Sequence, residues 1–363
     1  MCGNELNKKT TVILNPFNNE YNSICSVGRK IKMSGCHTIG QEIYIILFGN
    51  IYNWRSFSLE NTDTPENVII NLYIKYGMEY TLQILDGVFS IILLDQRSDF
   101  GQSTLYVTCD PIGLIPIFFI TQHETMYIIS NKNENDETRF KPGTFSTFTL
   151  SNMVISNWDN PITTTYSVLG KSGNCPIHFT ESKISNIFKE IMRELIKKYI
   201  DFAKHIICII EPNNVESEFI AGVIDNLGRD ENITIETYCI ICDNDPPSSE
   251  HTNVYIQGNV SEQKKMEYLA SSIRENYNEK EDIVVFMGIG INFLKEYDDE
   301  PQDDFSLREI IKNIHKYLGN TIIEPFHTEN LNIVFPLLDK SWIDFYLSIP
   351  PEIRDSDKAR LVI

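Results

Sequence analysis

No stretch of this sequence is long and apolar enough to cross a bilayer. A spanning helix needs about 20 consecutive apolar residues. The longest apolar stretches here, around Ile43–Leu47 and Val88–Leu94, have the length of buried strands. Positive charge is also scarce: 31 Lys and Arg stand against 50 Asp and Glu, a net charge of −19. Neutralising phosphates takes clustered cations, so nucleic acid is not expected as a partner, and neither is a membrane. The acidic excess gathers in runs such as Asp243–Asp245 and Tyr297–Asp304, which suit solvated loops. A targeting segment is missing too. Met1-Cys2-Gly3-Asn4-Glu5 leads into Lys8-Lys9-Thr10-Thr11 with no hydrophobic stretch behind it, and cytoplasmic residence is expected. The eight cysteines are too dispersed for a small-domain disulfide framework. Only Cys239 and Cys242 have CxxC spacing. They fall in a buried-strand pattern, where residues three apart point to opposite faces, so no metal site is expected.

What is present is a globular composition, 42% hydrophobic and 22% charged, in 363 residues, enough for two domains with substantial cores. Residues 1–150 are strand-dominated. Apolar runs at Thr11–Leu14, Glu42–Phe48, Val88–Asp95, Leu105–Cys109, Ile115–Thr121 and Met126–Ser130 are separated by turn residues. One amphipathic helix interrupts them, from about Pro65 to Tyr76, with Val68, Ile69, Leu72 and Tyr73 at helical spacing. Layered antiparallel sheets are the expected architecture. Residues 151–176 are polar and read as a linker.

Residues 177–363 change period. Ile184, Ile187, Phe188, Ile191, Met192, Leu195 and Ile196 mark a long helix, with Thr180 placed to cap it. Then come strand His205–Ile210, helix Ser217–Leu227, strands Thr234–Cys242 and Asn253–Gln257, helix Ser261–Tyr277 and strand Asp282–Met287. From about Ser306 the chain reads as helical. Alternating strands and helices predict a parallel α/β sheet. The fold class is thus α+β followed by α/β.

The chemistry starts at Cys2. With Gly3 after it, removal of Met1 would leave a thiol and a free amine on one residue, and the amine could serve as general base to the thiol. A cysteine at position 2 means little alone. Further on stand Gly49-Asn50-Ile51-Tyr52-Asn53 and Leu85-Asp86-Gly87-Val88-Phe89-Ser90-Ile91-Ile92-Leu93-Leu94-Asp95. Asp110-Pro111-Ile112-Gly113-Leu114-Ile115-Pro116 and Lys141-Pro142-Gly143 follow. In the second half come Phe335-Pro336-Leu337-Leu338-Asp339 and Tyr346-Leu347-Ser348-Ile349-Pro350-Pro351-Glu352-Ile353-Arg354. This ordered series resembles glutamine-hydrolysing asparagine synthetase, a carbon–nitrogen ligase family, over most of both halves. Relative to that family the chain is shorter at its carboxyl end and carries internal deletions.

The resemblance implies a class II glutamine amidotransferase domain, an αββα N-terminal-nucleophile (Ntn) hydrolase fold in which Cys2 frees ammonia from glutamine. It implies a second, truncated domain of the PP-loop, nucleotide-pyrophosphatase-like type. That domain would activate aspartate with ATP and magnesium, and the ammonia would complete asparagine. Small-molecule partners would be glutamine, aspartate and ATP.

The positions that the resemblance assigns to chemistry are largely substituted. The family's oxyanion-hole Asn-Gly is Phe48-Gly49 here, with Asn50 in place of a Glu. A phenyl ring cannot donate to an oxyanion, and losing one such donor costs roughly 10²–10³ in rate. The Asp that would bind the glutamine ammonium is Pro65, with Asp63 and Glu66 close by. The segment carrying the carboxylate-binding Arg is deleted between Gly35-Cys36-His37 and Glu42, leaving Arg29 as a remote substitute. The family's Ser-Gly-Gly-Leu-Asp-Ser-Ser phosphate loop follows a parallel strand, and small residues there let backbone N–H groups wrap pyrophosphate. After Ile210 this chain reads Glu211-Pro212-Asn213-Asn214-Val215-Glu216-Ser217. Pro212 removes a donor, and two carboxylates stand where phosphate would lie. The second nucleotide motif, Ser-Gly-Glu-Gly-Ser-Asp-Glu, is Met287-Gly288-Ile289-Gly290-Ile291-Asn292-Phe293: both glycines remain and the carboxylates are gone. Lys358 lies near the expected catalytic lysine but at a different spacing.

A topological loss accompanies these. Parallel neighbours need a crossover of about a dozen residues. Only Asp243–Thr252 separates the strands at Cys242 and Asn253, so either a strand has moved or one sheet face is uncovered. The pattern favours a pseudoenzyme without bound cofactor that acts by binding, alone or in an oligomer with an active relative. A divergent active synthetase and a hydrolase or redox thiol built on Cys2 are the alternatives.

Overall fold

Strand runs and helix runs separate along the chain as their periods dictate. The computed structural model describes residues 10–14, 22–25, 33–35, 43–60, 63–97, 102–115, 117–122, 125–129, 138–151, 154–155, 161–167, 181–200, 203–211, 214–231, 234–242, 252–256, 260–278, 282–290 and 318–349. The chain divides into two units, residues 1–168 and 169–363.

In the first unit, β1 (Thr10–Leu14), β2 (Asn22–Cys25), β3 (Met33–Gly35) and β4 (Ile43–Ile51) precede α1 (Pro65–Tyr76) and α2 (Met78–Ile84). Then follow β5 (Gly87–Asp95), β6 (Gln102–Cys109), β7 (Phe118–Gln122), β8 (Thr125–Ile129), β9 (Thr138–Arg139), β10 (Thr144–Ser151), β11 (Val154–Ile155) and β12 (Ile162–Thr165). One antiparallel sheet has the order β2-β1-β8-β7-β9. The other has the order β11-β10-β6-β5-β4-β3, with β12 also on β10. The near-continuous apolar character of β4 and β5 follows from burial on both faces. Phe89, Ile91 and Leu93 join Ile43, Ile45 and Leu47 under Ile69, Ile70 and Leu82 of the helices. Ile92 and Leu94, on the opposite face, join Ile46, Phe48, Val107, Ile117, Phe140 and Phe148. Ile117 and Phe140 border β7 and β9 and are tied by a backbone hydrogen bond of 2.9 Å, so this second core lies towards the other sheet. Helices, sheet and sheet are the layers found among the described residues; a second helical layer is not among them.

α1 starts and stops where its pattern predicted. Thr64 caps it and Gly77, at φ +80°, ends it. The expectation of a single helix is corrected by α2, a short helix directly behind Gly77. The stretch read as a linker contains β11 and β12. Behind β12, Tyr166 is buried and donates its hydroxyl to the Cys109 carbonyl at 2.6 Å.

The second unit runs α3 (Glu181–Ile200), β13 (His205–Ile210), α4 (Val215–Glu231), β14 (Ile235–Cys242), β15 (Thr252–Ile256), α5 (Glu262–Glu275) and β16 (Ile283–Met287). A π-helical turn at Gly319–Ile323, α6 (Glu324–Thr328), β17 (Asn332–Val334), a 3₁₀ turn at Pro336–Leu338 and α7 (Lys340–Ser348) complete it. The sheet is parallel, in the order β15-β14-β13-β16-β17. The fold class is therefore α+β followed by α/β. The carboxyl-terminal stretch is not wholly helical: β17 pairs with β16 through Val284↔Asn332 to Phe286↔Val334. Three residues of strand are too few for a period to register. Thr180 lies outside the described residues.

β15 has not moved. It pairs with β14 from Tyr238↔Thr252 to Cys242↔Ile256. Val254 and Ile256 are buried, while the intervening Tyr255 is 63% exposed. The outermost strand thus keeps its place and leaves one face to solvent at Tyr255.

α3 and α7 close one side of the unit through Phe188, whose ring lies 4.3 Å from Trp342 and 4.9 Å from Phe345, centroid to centroid. Asp339 caps α7 by accepting from Ser341 N at 2.8 Å. Its other oxygen takes Lys198 Nζ, also at 2.8 Å.

Candidate functional sites

In the first unit the retained glycine sits late in β4. Gly49 has φ +85°, a conformation natural to glycine. A Cβ there would lie 2.2 Å from Val88 O and 2.3 Å from Ile115 Cδ1, so no other residue fits. Phe48, next to it, is only 7% exposed. Its ring belongs to the core between the sheets, against which Ile115 packs. Ser90, opposite Phe48 in the ladder, donates its hydroxyl to the Ile115 carbonyl. The cross-strand surroundings of Phe48 are thus an apolar interior.

Pro65 occupies the first turn of α1, where its missing N–H costs nothing. Asp63 is committed elsewhere. Its Oδ2 accepts from Leu59 N at 2.8 Å, Glu60 N at 3.1 Å and Ser58 Oγ at 3.0 Å. The Glu60 and Leu59 amides hold its carboxyl below the usual carboxylate range. Glu66 is different: it is 2% exposed, and its Oε2 has no hydrogen-bond partner. Asn53, the last residue of the Gly49–Asn53 motif, is a clamp. Its Nδ2 donates to Ile84 O at 2.8 Å and its Oδ1 accepts from Asp86 N at 3.0 Å, fixing the end of α2 and the entry to β5. Cys2 and Arg29 lie outside the described residues.

In the second unit, Ile210 ends β13 and Gly288 and Gly290 follow β16, the two central strands, so the structure brings these three positions together. Where they are described, the two loops touch through backbone. A Cβ on Gly288 would lie 2.4 Å from Ser217 Cα and 2.5 Å from Ser217 N. Gly290, likewise, faces Leu337 Cβ at 2.8 Å from a built Cβ.

Among the described residues of the loop, four backbone donors are spent internally. Glu211 N donates to Ser217 Oγ at 3.1 Å, and Asn214 N to Glu211 O at 3.1 Å. Asn214 Oδ1 accepts from Glu216 N at 3.0 Å and Ser217 N at 3.3 Å, the side-chain cap of α4. Asn214 Nδ2 donates to Glu211 Oε2 at 2.7 Å. The carboxylate of Glu216, 8% exposed, accepts Gly290 N at 2.8 Å. Burial raises the Glu211 carboxyl, opposed by the Asn214 hydrogen bond and reinforced by the charge of Glu262. Glu262 is itself paired with Lys265 at 3.1 Å.

The sequence pattern placed the helix start at Ser217 and passed over Asn214 as its cap. The signal was available: an Asn immediately before a helical apolar pattern is a strong N-cap, and it starts α4 two residues before the expected Ser217. Pro212 and Lys358 lie outside the described residues.

Comparison with known proteins adds the following. Residues 37–155 match the family model described as glutamine amidotransferase domain. The chain is 22% identical over 376 residues to the asparagine synthetase [glutamine-hydrolyzing] of Gallus gallus, covering 86% of this chain and 66% of that protein. It is 23% identical over 380 residues to the protein of the same name from Rattus norvegicus, with the same coverage. The chain thus spans 66% of the length of these curated relatives. A solved structure of glutamine phosphoribosylpyrophosphate amidotransferase from B. subtilis, complexed with ADP and GMP, is similar at 12% identity. It aligns over 76% of this chain and 61% of that one, with a TM-score of 0.29.

Proposed function

We propose, from the premise that the chain is a divergent member of the asparagine synthetase family, that it does not carry out the family's ATP-dependent amidation of aspartate and acts instead by binding. The observation that carries this reading is the corner between Ile210 and Gly290. An ATP site on this fold needs free backbone donors at the helix N-terminus and room for phosphate. Here the amides of Glu211, Asn214, Glu216 and Ser217 are bonded within the loop, Gly290 N is bonded to Glu216, and Gly288 abuts Ser217. Glu211 and Glu216 add carboxyl groups where a triphosphate would lie. A partner in this reading is another polypeptide, such as an active relative in a shared oligomer. Cytoplasmic residence belongs to the same proposal.

Isothermal titration of the full chain with ATP and magnesium tests it. No heat of binding up to millimolar nucleotide is expected. Micromolar affinity, or asparagine formed from aspartate, ATP, magnesium and either glutamine or ammonia, would overturn it.

A second reading keeps amine recognition in the first unit. It is favoured by Glu66, whose buried Oε2 has no partner, one residue from the position where the family binds the ammonium of glutamine. Cys2 would be the nucleophile of such a site. A thermal shift with glutamine that disappears in Glu66→Gln would support this reading. An unchanged midpoint in the parent chain at saturating glutamine would dismiss it, because a ligand specific to the folded state must raise the midpoint.

A further inference from the structure

We propose that Glu216 is a built-in lock, a resident carboxylate that takes the place of an external anion at the Gly288–Gly290 turn; this rests on the reading of that corner as closed. The contact joins residues 74 positions apart, from the first turn of α4 to the turn behind β16. Its acceptor is a carboxylate oxygen and its donor a buried amide, 2.8 Å apart. Glu218, in the same helical turn, is exposed, and Glu211 is held by Asn214. Of Glu211, Glu216 and Glu218, Glu216 is thus the one turned to the second loop.

Its place is electrostatically favourable. Negative charge is stabilised at a helix N-terminus, and Asn214 has already satisfied the Glu216 and Ser217 amides. The lock is also sterically specific. Gly288 permits the loops to touch through backbone, and Leu337 closes the far side of Gly290. Removing the Glu216 side chain would open a buried, carboxylate-sized space beside an unpaired N–H, a group costly to leave unmade.

The test uses the full chain as parent, Glu216→Ala, Glu216→Gln and, as an exposed control, Asp225→Asn. Melting temperatures are read in sodium formate and in sodium chloride at equal ionic strength. Glu216→Ala should melt about 5 °C lower than the parent in chloride. It should regain most of that difference in formate. The parent and Asp225→Asn should show no difference between the salts. Equal response of Glu216→Ala and the parent to formate would overturn the proposal. If Glu216→Ala does not fold, hydrogen exchange at Gly290 in Glu216→Gln decides. Exchange at least tenfold faster than in the parent supports the lock, and unchanged exchange sinks it. ATP binding by the parent would instead count against the function proposed above, so the two failures are separable.

Discussion

The two units fill the positions that the resemblance assigns to ligands by opposite means. In the first, Phe48 is absorbed into an apolar core between two sheets. In the second, Asn214, Ser217 and Glu216 spend their hydrogen bonds on the loops themselves. The first filling is non-directional and draws on the hydrophobic effect. The second is directional, and its value lies in the penalty for leaving a partner unpaired. The two should therefore fail differently: one through lost volume and buried polarity, the other through individual broken contacts and charge.

The largest effect expected is for Phe48→Asn, which reinstates the family's residue. Emptying a buried Phe site costs about 3–5 kcal/mol, and the amide would add an unpaired polar group. Urea denaturation should show at least that loss; a variant as stable as the parent would mean that Phe48 does not help close the core. Next is Gly288→Ala. Its methyl would meet Ser217 backbone, and overpacking costs about 1–3 kcal/mol. Gly77→Ala, at φ +80° with nothing near, is the comparison for strain without collision. A Gly288→Ala variant as stable as the parent would mean that the two loops of the second unit are not in fixed contact.

Asn214→Ala should cost about 0.5–2 kcal/mol through loss of the α4 cap, measurable by thermal melting; Asp at the same site keeps the cap but loses the donation to Glu211 and sets two carboxyl groups together, so it should restore only part. Glu211→Gln should have the smallest effect, with the opposite sign. Burial raises the folded-state value of this carboxyl, so the folded chain holds the proton more tightly than the unfolded chain. Stability from this group is full below the ordinary carboxylate range and is lost as pH rises through the raised value. Gln keeps an acceptor for Asn214 and removes the charge. The variant should be more stable than the parent at pH 7, with the difference vanishing in acid. A difference independent of pH would remove Glu211 from the contrast between the units.

Much of the fold was legible because period and burial coincide. Strand β13 was bounded to the residue by its run of Ile and Cys, and α1 by Pro65 at the start and Gly77 at the end. β12 was not legible: Ile162-Thr163-Thr164-Thr165 is mostly exposed and has no apolar alternation, so only pairing with β10 defines it. α2 was hidden by brevity behind Gly77. At the candidate sites, the substitutions were plain in the residues, and their filling was not. That Phe48 joins the inter-sheet core depends on the strand's face. That Glu216 reaches Gly290 depends on a contact between distant loops that no local pattern encodes.

The phenol of Tyr166, pushed well above its ordinary pKa by burial, remains a donor to Cys109 across all ordinary pH. That small clasp sets where the first unit can be cut free. A fragment ending at residue 150 would discard β12 and the clasp together, exposing β10 and taking from the Cys109 carbonyl its 2.6 Å donor. One ending at 167 would keep both, and it is the shorter piece that should precipitate on expression.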